Sequence, residues 1–380
     1  MVVLAAAAAA TAAVAASDRG GGDVSAAADG VLAEAGACLQ IAAKYVRPHC
    51  VVVLLQFYAP WLTQGYFIAA LRRACFATDG RDGFELTAAR VGIVRRLLAA
   101  KAQCNAGRES DGTAPLHRAA QCGYTQVVDN LLQAKADCNL ASNDGQTALH
   151  RAARRGHVDV TRLLLGAKAS CDQVSARSGE TACGTAAQHG HALVLQLLLR
   201  AKADCNAVRF DGSSPCHVAA QTGATDAVAA LIAAKADVRL ARTTDGTSPC
   251  HMAAPCGFAD VVGKLLAAGA GVDAVDAKGW TACAVACWRG RLKVLDCLLD
   301  AKANVDKVDV DGWSSLLCAA GAGHVQCVRR LVEHAPRLCR LATTQAARGW
   351  GQVIPAGSLP IAVASSLGHE AVVDALAAHL

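Results

Sequence analysis

The chain has 380 residues, of which 53% are hydrophobic but only 4% aromatic, with a formal charge of +6. So few bulky side chains suit closely packed, Ala- and Leu-rich helices in thin layers better than one thick core, and so mild a charge does not call for nucleic acid binding. No run of like charges marks a basic arm or an acidic tail.

In chain order, residues 1–30 are rich in Ala and Gly and read as disordered. The run "MVVLAAAAAATAAVAAS" has Val14-Ala15-Ala16 before Ser17, passable as a cleavage site, but lacks the cation that begins a secretory signal. Residues 31–78 form an apolar or helical segment. Leu32, Ala35, Leu39, Ala42 and Val46 keep helical spacing up to Pro48. Residues 51–71 carry no charge and are flanked by Lys44, Arg47, Arg72 and Arg73. Their length fits a bilayer span, whereas Gln56, Pro60, Thr63 and Gln64 favour two elements with a turn at Ala59-Pro60, packed on the chain beyond residue 78. The run "FYAPW" (57–61) resembles the stretch before the active-site dithiol of protein disulfide isomerases. Leu62-Thr63-Gln64-Gly65 stands where that family has Cys-x-x-Cys, so neither attacking nor resolving thiol is present.

From residue 111 a pattern recurs: "DGTAPLHRAAQCG", "DGQTALHRAARRG" (144), "SGETACGTAAQHG" (178), "DGSSPCHVAAQTG" (211), "DGTSPCHMAAPCG" (245), "KGWTACAVACWRG" (278) and "DGWSSLLCAAGAG" (311). The step is 33 or 34 residues, and each unit continues into a second apolar block such as "VVDNLLQAKADCN". Within a unit, a Gly-containing turn is followed by a Thr or Ser N-cap (Thr147, Thr181, Ser214, Ser248, Thr281). A short helix with paired Ala comes next, then a terminating Gly and a second helix with Val and Leu at i, i+3, i+4. A lone unit has too little apolar surface to fold, so stacking must supply the core.

These units resemble the ankyrin repeat family over roughly residues 79–380. The resemblance implies an all-α solenoid of helix-turn-helix units with short β-hairpin loops, preceded by the low-complexity N-terminal region. The expected organisation is a degenerate capping repeat at 79–110, seven repeats over 111–342, and a loop insertion with a C-terminal capping repeat at 343–380.

Eighteen cysteines invite a disulfide or metal reading. Cys104, Cys138, Cys171 and Cys205 share one repeat position with Val238, Val272 and Val305; Cys183, Cys216, Cys250 and Cys283 share another with Leu116, Leu149 and Leu316. Interchange with Val and Leu marks small buried hydrophobes. Adjacent units lie about 10 Å apart, beyond the Cα spacing of about 4.4–6.8 Å that a disulfide needs. Reduced thiols and a cytoplasmic compartment are therefore expected. The groups Cys250, His251, Cys256 and Cys283, Cys287 lack paired finger-type spacing, so no metal or other cofactor is implied. His117, His150, His217 and His251 fill a tetrapeptide place that in the resembled family is structural, and no nucleophile recurs beside them. No catalytic residues are assigned.

Binding remains. In the resembled family the concave side is built from hairpin tips and the outer face of the first helices. Those positions carry Arg118, Arg151, Arg154, Arg155, Arg177 and Arg209, then Trp280, Trp288, Arg289 and Trp313. Arg and Trp are enriched at interface hot spots. The expectation is a monomeric, non-enzymatic scaffold whose protein partner offers an acidic segment and an apolar anchor. A membrane-tethered adaptor anchored by 51–71 and a thioredoxin-like redox protein are the alternatives. Lys101, Lys135, Lys168, Lys202, Lys235 and Lys302 stand where the family usually has Gly, kept here only as Gly269.

Overall fold

In the computed structural model the described residues are 24–59, 62–75, 84–343, 347–349 and 352–379. Pro60 and Trp61 of the "FYAPW" run, and Trp350 and Gly351 of the C-terminal insertion, lie outside them. The chain divides into two units, residues 1–177 and 178–380.

The first unit begins with α1 (Val24–Lys44), α2 (Pro48–Tyr58), α3 (Gln64–Ala74) and α4 (Phe84–Ala99). α1 starts inside the stretch read as disordered; alanines at 26–28 favour helix strongly enough to extend it. The uncharged stretch 51–71 is not one span. It is shared between two helices of 11 residues each, broken at Ala59. Each rises about 16 Å, half the hydrocarbon thickness of about 30 Å. Among the described residues no helix is long and apolar enough to cross a membrane.

α1 packs on α2 and α3, and α3 and α4 pack together as a helix pair. Arg90 of α4, only 2% exposed, donates from Nη1 to the carbonyl of Ala74 at the end of α3, 2.7 Å away. The first helix of this pair is thus supplied by residues 64–74, upstream of the stretch 79–110 in which a shortened repeat was expected. α5 (Pro115–Cys122), α6 (Thr125–Gln133), α7 (Ala148–Arg155) and α8 (Val158–Gly166) complete two repeats. α3 meets α5 and α4 meets α6, so the N-terminal pair stacks on the first repeat as a repeat would.

The second unit holds α9 (Ala182–Gln188), α10 (Ala192–Arg200), α11 (Pro215–Thr222), α12 (Thr225–Ala233), α13 (Pro249–Ala253), α14 (Ala259–Ala267), α15 (Ala282–Trp288), α16 (Leu292–Asp300), α17 (Ser315–Gly321) and α18 (Val325–His334). A short 3-10 turn at Pro336–Arg340 precedes the insertion, whose described residues include an antiparallel strand pair, β1 (Ala347–Gly349) with β2 (Gln352–Ile354). Thr343, 3% exposed, closes its base: its hydroxyl donates to the Pro355 carbonyl at 2.9 Å and accepts from the Ser358 N–H at 3.1 Å. A last pair, α19 (Pro360–Ser366) and α20 (Glu370–Ala377), completes the unit.

Local chemistry explains the repeat. Thr181, Thr281 and Ser314 hydroxyls accept from the third N–H of their helices at 3.1–3.3 Å. Gly123 and Gly156 close α5 and α7 at φ 75° and 73°, where a Cβ on Gly123 would meet the His157 ring at 2.6 Å. The paired alanines, Ala119-Ala120 and Ala152-Ala153 among them, are fully buried, and Val127, Val128 and Leu131 line the inner face of α6. Hairpins ladder through backbone bonds: Asn143 to Asp111 and Ala176 to Asp144 in the first unit, Ala277 to Asp245 and Val310 to Lys278 in the second.

Cysteines and histidines belong to this frame. Cys183, Cys216, Cys250 and Cys283 are at most 1% exposed. Cys104, Cys138 and Cys205 are half-buried, and their thiols donate to the carbonyls of Ala134, Ala167 and Ala234, at the end of the second helix in the next repeat. His117, His150, His217 and His251 are buried, each Nδ1 accepting from the N-cap N–H three residues earlier at 3.1–3.2 Å. Nε2–H of His217 donates to Thr247 O (2.9 Å) and that of His251 to Trp280 O (2.8 Å), which fixes a neutral tautomer.

Candidate interaction surface

In the first unit, Arg118 of α5 and Arg151 of α7 occupy equivalent places one repeat apart. Each lies seven residues beyond the hairpin aspartate that it pairs: Arg118 with Asp111 at 3.5 Å, Arg151 with Asp144 at 3.4 Å. The side chains are only 23% and 17% exposed, so much of each guanidinium serves its own hairpin. Arg154 is half-buried. Arg155, at the end of α7, and Arg177, in the following hairpin, are exposed.

In the second unit, Arg209 is occupied by Glu180 and by Gln188 Oε1 at 2.7 Å. Trp280 sits in a hairpin and Trp288 at the end of α15. The two rings meet edge to face with centroids 5.6 Å apart, and the Arg289 guanidinium lies 4.1 Å over the Trp288 ring. Both indoles are half-buried and Arg289 is exposed. A cleft of ≈ 470 Å³ runs beside them, bordered by Trp288, Arg289, Arg291, His324 and His369. Its walls are stiff: Arg291 Nε donates to Pro255 O (2.9 Å), and the Nε2 atoms of His324 and His369 bond Trp288 O and Gly321 O (3.1 and 3.0 Å). Such a cleft offers an aromatic wall to an apolar group and two guanidinium groups to a carboxylate.

Trp313, expected with the other two, is not on this surface. It is 6% exposed, its backbone N–H donates to Asp309 Oδ1 at 2.8 Å, and its neighbours Asp309 and Ser314 are buried as well. The antiparallel bridge Val308–Ser314 folds that hairpin around it.

Sequence reasoning missed an apolar rim. In the second unit, Val208, Phe210, Val275, Val308 and Val310 on the hairpins are 42–69% exposed. Alternating apolar residues in "NAVRFDG", "DAVDAKG" and "DKVDVDG" were the signal. Among the described residues no group of three or more His, Cys, Asp or Glu is placed to hold a metal ion.

A family profile described as "Ankyrin repeats (3 copies)" matches residues 86–175, 165–242, 217–309 and 285–380. The chain belongs to the ankyrin repeat family, whose repeats are generally protein–protein interaction modules and typically non-enzymatic. None of the curated proteins compared matches it.

Proposed function

We propose that this chain is a non-enzymatic scaffold that captures a protein segment on the second unit's Trp280–Trp288–Arg289 platform. The observation that carries this reading is the Arg289 guanidinium stacked on a half-buried indole at the mouth of a stiff-walled cleft. A stacked arginine gives up little further side-chain freedom on binding, and aromatic–arginine anchors dominate interface energetics. The segment would offer an apolar anchor to the indoles and an adjacent carboxylate to Arg289 and Arg291. The exposed Val208, Phe210, Val275 and Val310 extend the contact along the hairpin rim. Arg155 and Arg177 of the first unit are exposed and suit acidic residues.

Peptide-display selection against the full chain tests this. Selected peptides should pair an aromatic or aliphatic residue with Asp or Glu and lose binding to the W288A/R289E variant. Equal capture by that variant, with an unchanged melting curve, would overturn the reading.

A further inference from the structure

A second cleft, of ≈ 440 Å³, lies in the first unit, where the N-terminal helices meet the first repeat. Its lining includes Lys44, Arg72, Arg73, Arg108, Thr113 and Arg118. These come from four parts of the chain: the end of α1, the last turn of α3, the hairpin before α5, and α5 itself.

Two arginines in a last helical turn are ordinary, since cations complement the C-terminal end of the macrodipole. Here, however, the α3 arginines face two further arginines of the repeat. Among the described residues, the carboxylates in this neighbourhood are Asp111 and Glu109. Asp111 is shared by Arg108 (3.7 Å) and Arg118 (3.5 Å), and its Oδ1 also accepts from the Thr113 N–H at 3.0 Å. Glu109 is exposed on the hairpin. Among the described residues, five cations stand against two carboxylates here, a local excess of three. Arg72 is half-buried, and both its desolvation and Arg108 oppose its charge. Like charges held in one concave place raise the energy of the empty site, and a multivalent anion is the group that relieves it. The cleft's volume falls in the range of about 300–1,000 Å³ typical of small-molecule sites. Planar guanidinium forks match phosphate oxygens two at a time.

We propose that this cleft binds a small molecule or headgroup carrying two or more phosphates, with Arg72 and Arg73 as the principal phosphate contacts and Arg108 and Lys44 closing around it. Binding would bridge the N-terminal helices and the first repeat, so occupancy should also stabilise the first unit.

The test uses the full-length protein and two probes. Isothermal titration with sodium tripolyphosphate should give saturable one-to-one binding that weakens steeply as salt rises. The R72Q/R73Q variant should lose at least tenfold in affinity, and so should R108Q, on an exposed hairpin where loss of fold is not at issue. R162Q, which removes an exposed arginine paired with Asp159, should bind as the parent does. Co-sedimentation with phosphatidylcholine vesicles, with and without a phosphoinositide, separates the two sources. Pelleting only with the phosphoinositide, lost in R72Q/R73Q, assigns a lipid headgroup; tripolyphosphate binding without pelleting assigns a soluble ligand. Binding of neither probe, or binding that survives in both variants, overturns the proposal.

Discussion

Arg90 Nη1 donates to the carbonyl oxygen of Ala74 over 2.7 Å, with the guanidinium 5.0 Å from the Tyr124 ring centroid. One buried cation therefore joins the end of α3, its own helix α4 and the residue that opens α6. Helix-terminal carbonyls lack intrahelical partners, and Arg90 satisfies one of them out of reach of water. Arg90→Met keeps the apolar stem but removes the donor. The expected loss is about 1–3 kcal/mol in urea unfolding of the first unit, with faster amide exchange in α3. Exchange and stability like the parent's would show that the bond contributes nothing.

Lys101, Lys135, Lys168, Lys202, Lys235 and Lys302 all hold φ between 60° and 65°, the left-handed region that favours glycine. A side chain there costs about 1–2 kcal/mol, partly offset by about 0.3–1 kcal/mol from a cation at a helix C-terminus. Lys135→Gly and Lys168→Gly should each raise stability by up to about 1 kcal/mol. Because salt screens the cation's contribution, the gain should be larger at high salt than at low salt. A gain that shrinks with salt would reverse this account.

Burial pushes the imidazoles of His117, His217 and His251 below the usual value of 6.5. The unfolded chain therefore takes up these protons first on acidification, and stability falls as pH drops below about 6.5. A separate loss comes at lower pH, where Asp245, held well below the usual carboxylate range by Arg242, must be protonated. Melting temperature measured from pH 8 to pH 5 should be flat above the histidine value and decline beneath it. In H217A the decline should be shallower on a lower baseline; an identical slope would exclude that histidine.

Trp280 and Trp313 stand 33 residues apart at one repeat position, yet one is half-buried and the other 6% exposed. Trp313→Ala should destabilise by about 3–5 kcal/mol, as for a buried aromatic, whereas Trp288→Ala should cost much less and act on peptide capture instead. Chemical denaturation of the two variants checks this; equal losses would mean that the platform tryptophans are core residues.

That pair also shows how far the sequence could be read. A period of 33 or 34 residues, capping Thr and Ser, and terminating Gly made the repeats plain, because each is a local rule that recurs. Burial of one copy is not local. The strings "KGWT" and "DGWS" are indistinguishable until the surrounding hairpins are known. Likewise α3 lacks the tetrapeptide and the closing Gly of a repeat, so its place as a first helix was hidden, and Arg90 looked like any arginine on a helix surface. The interaction surface was legible as residue types, but which arginines are spent on Asp111, Asp144 and Glu180 depends on side-chain geometry that repeat position does not encode.

The half-buried thiols of Cys104, Cys138 and Cys205 have one more implication. Burial pushes each of them up from its ordinary value. The protonated thiol is the form that donates to the carbonyl of the next repeat, and the thiolate is the form that attacks electrophiles. The same loss of solvation therefore preserves a seam between repeats and suppresses reactivity. Each seam protects its own sulfur for as long as the stack stays closed, and a thiol-reactive probe becomes a gauge of repeat separation, labelling these positions in proportion to how often neighbouring repeats part.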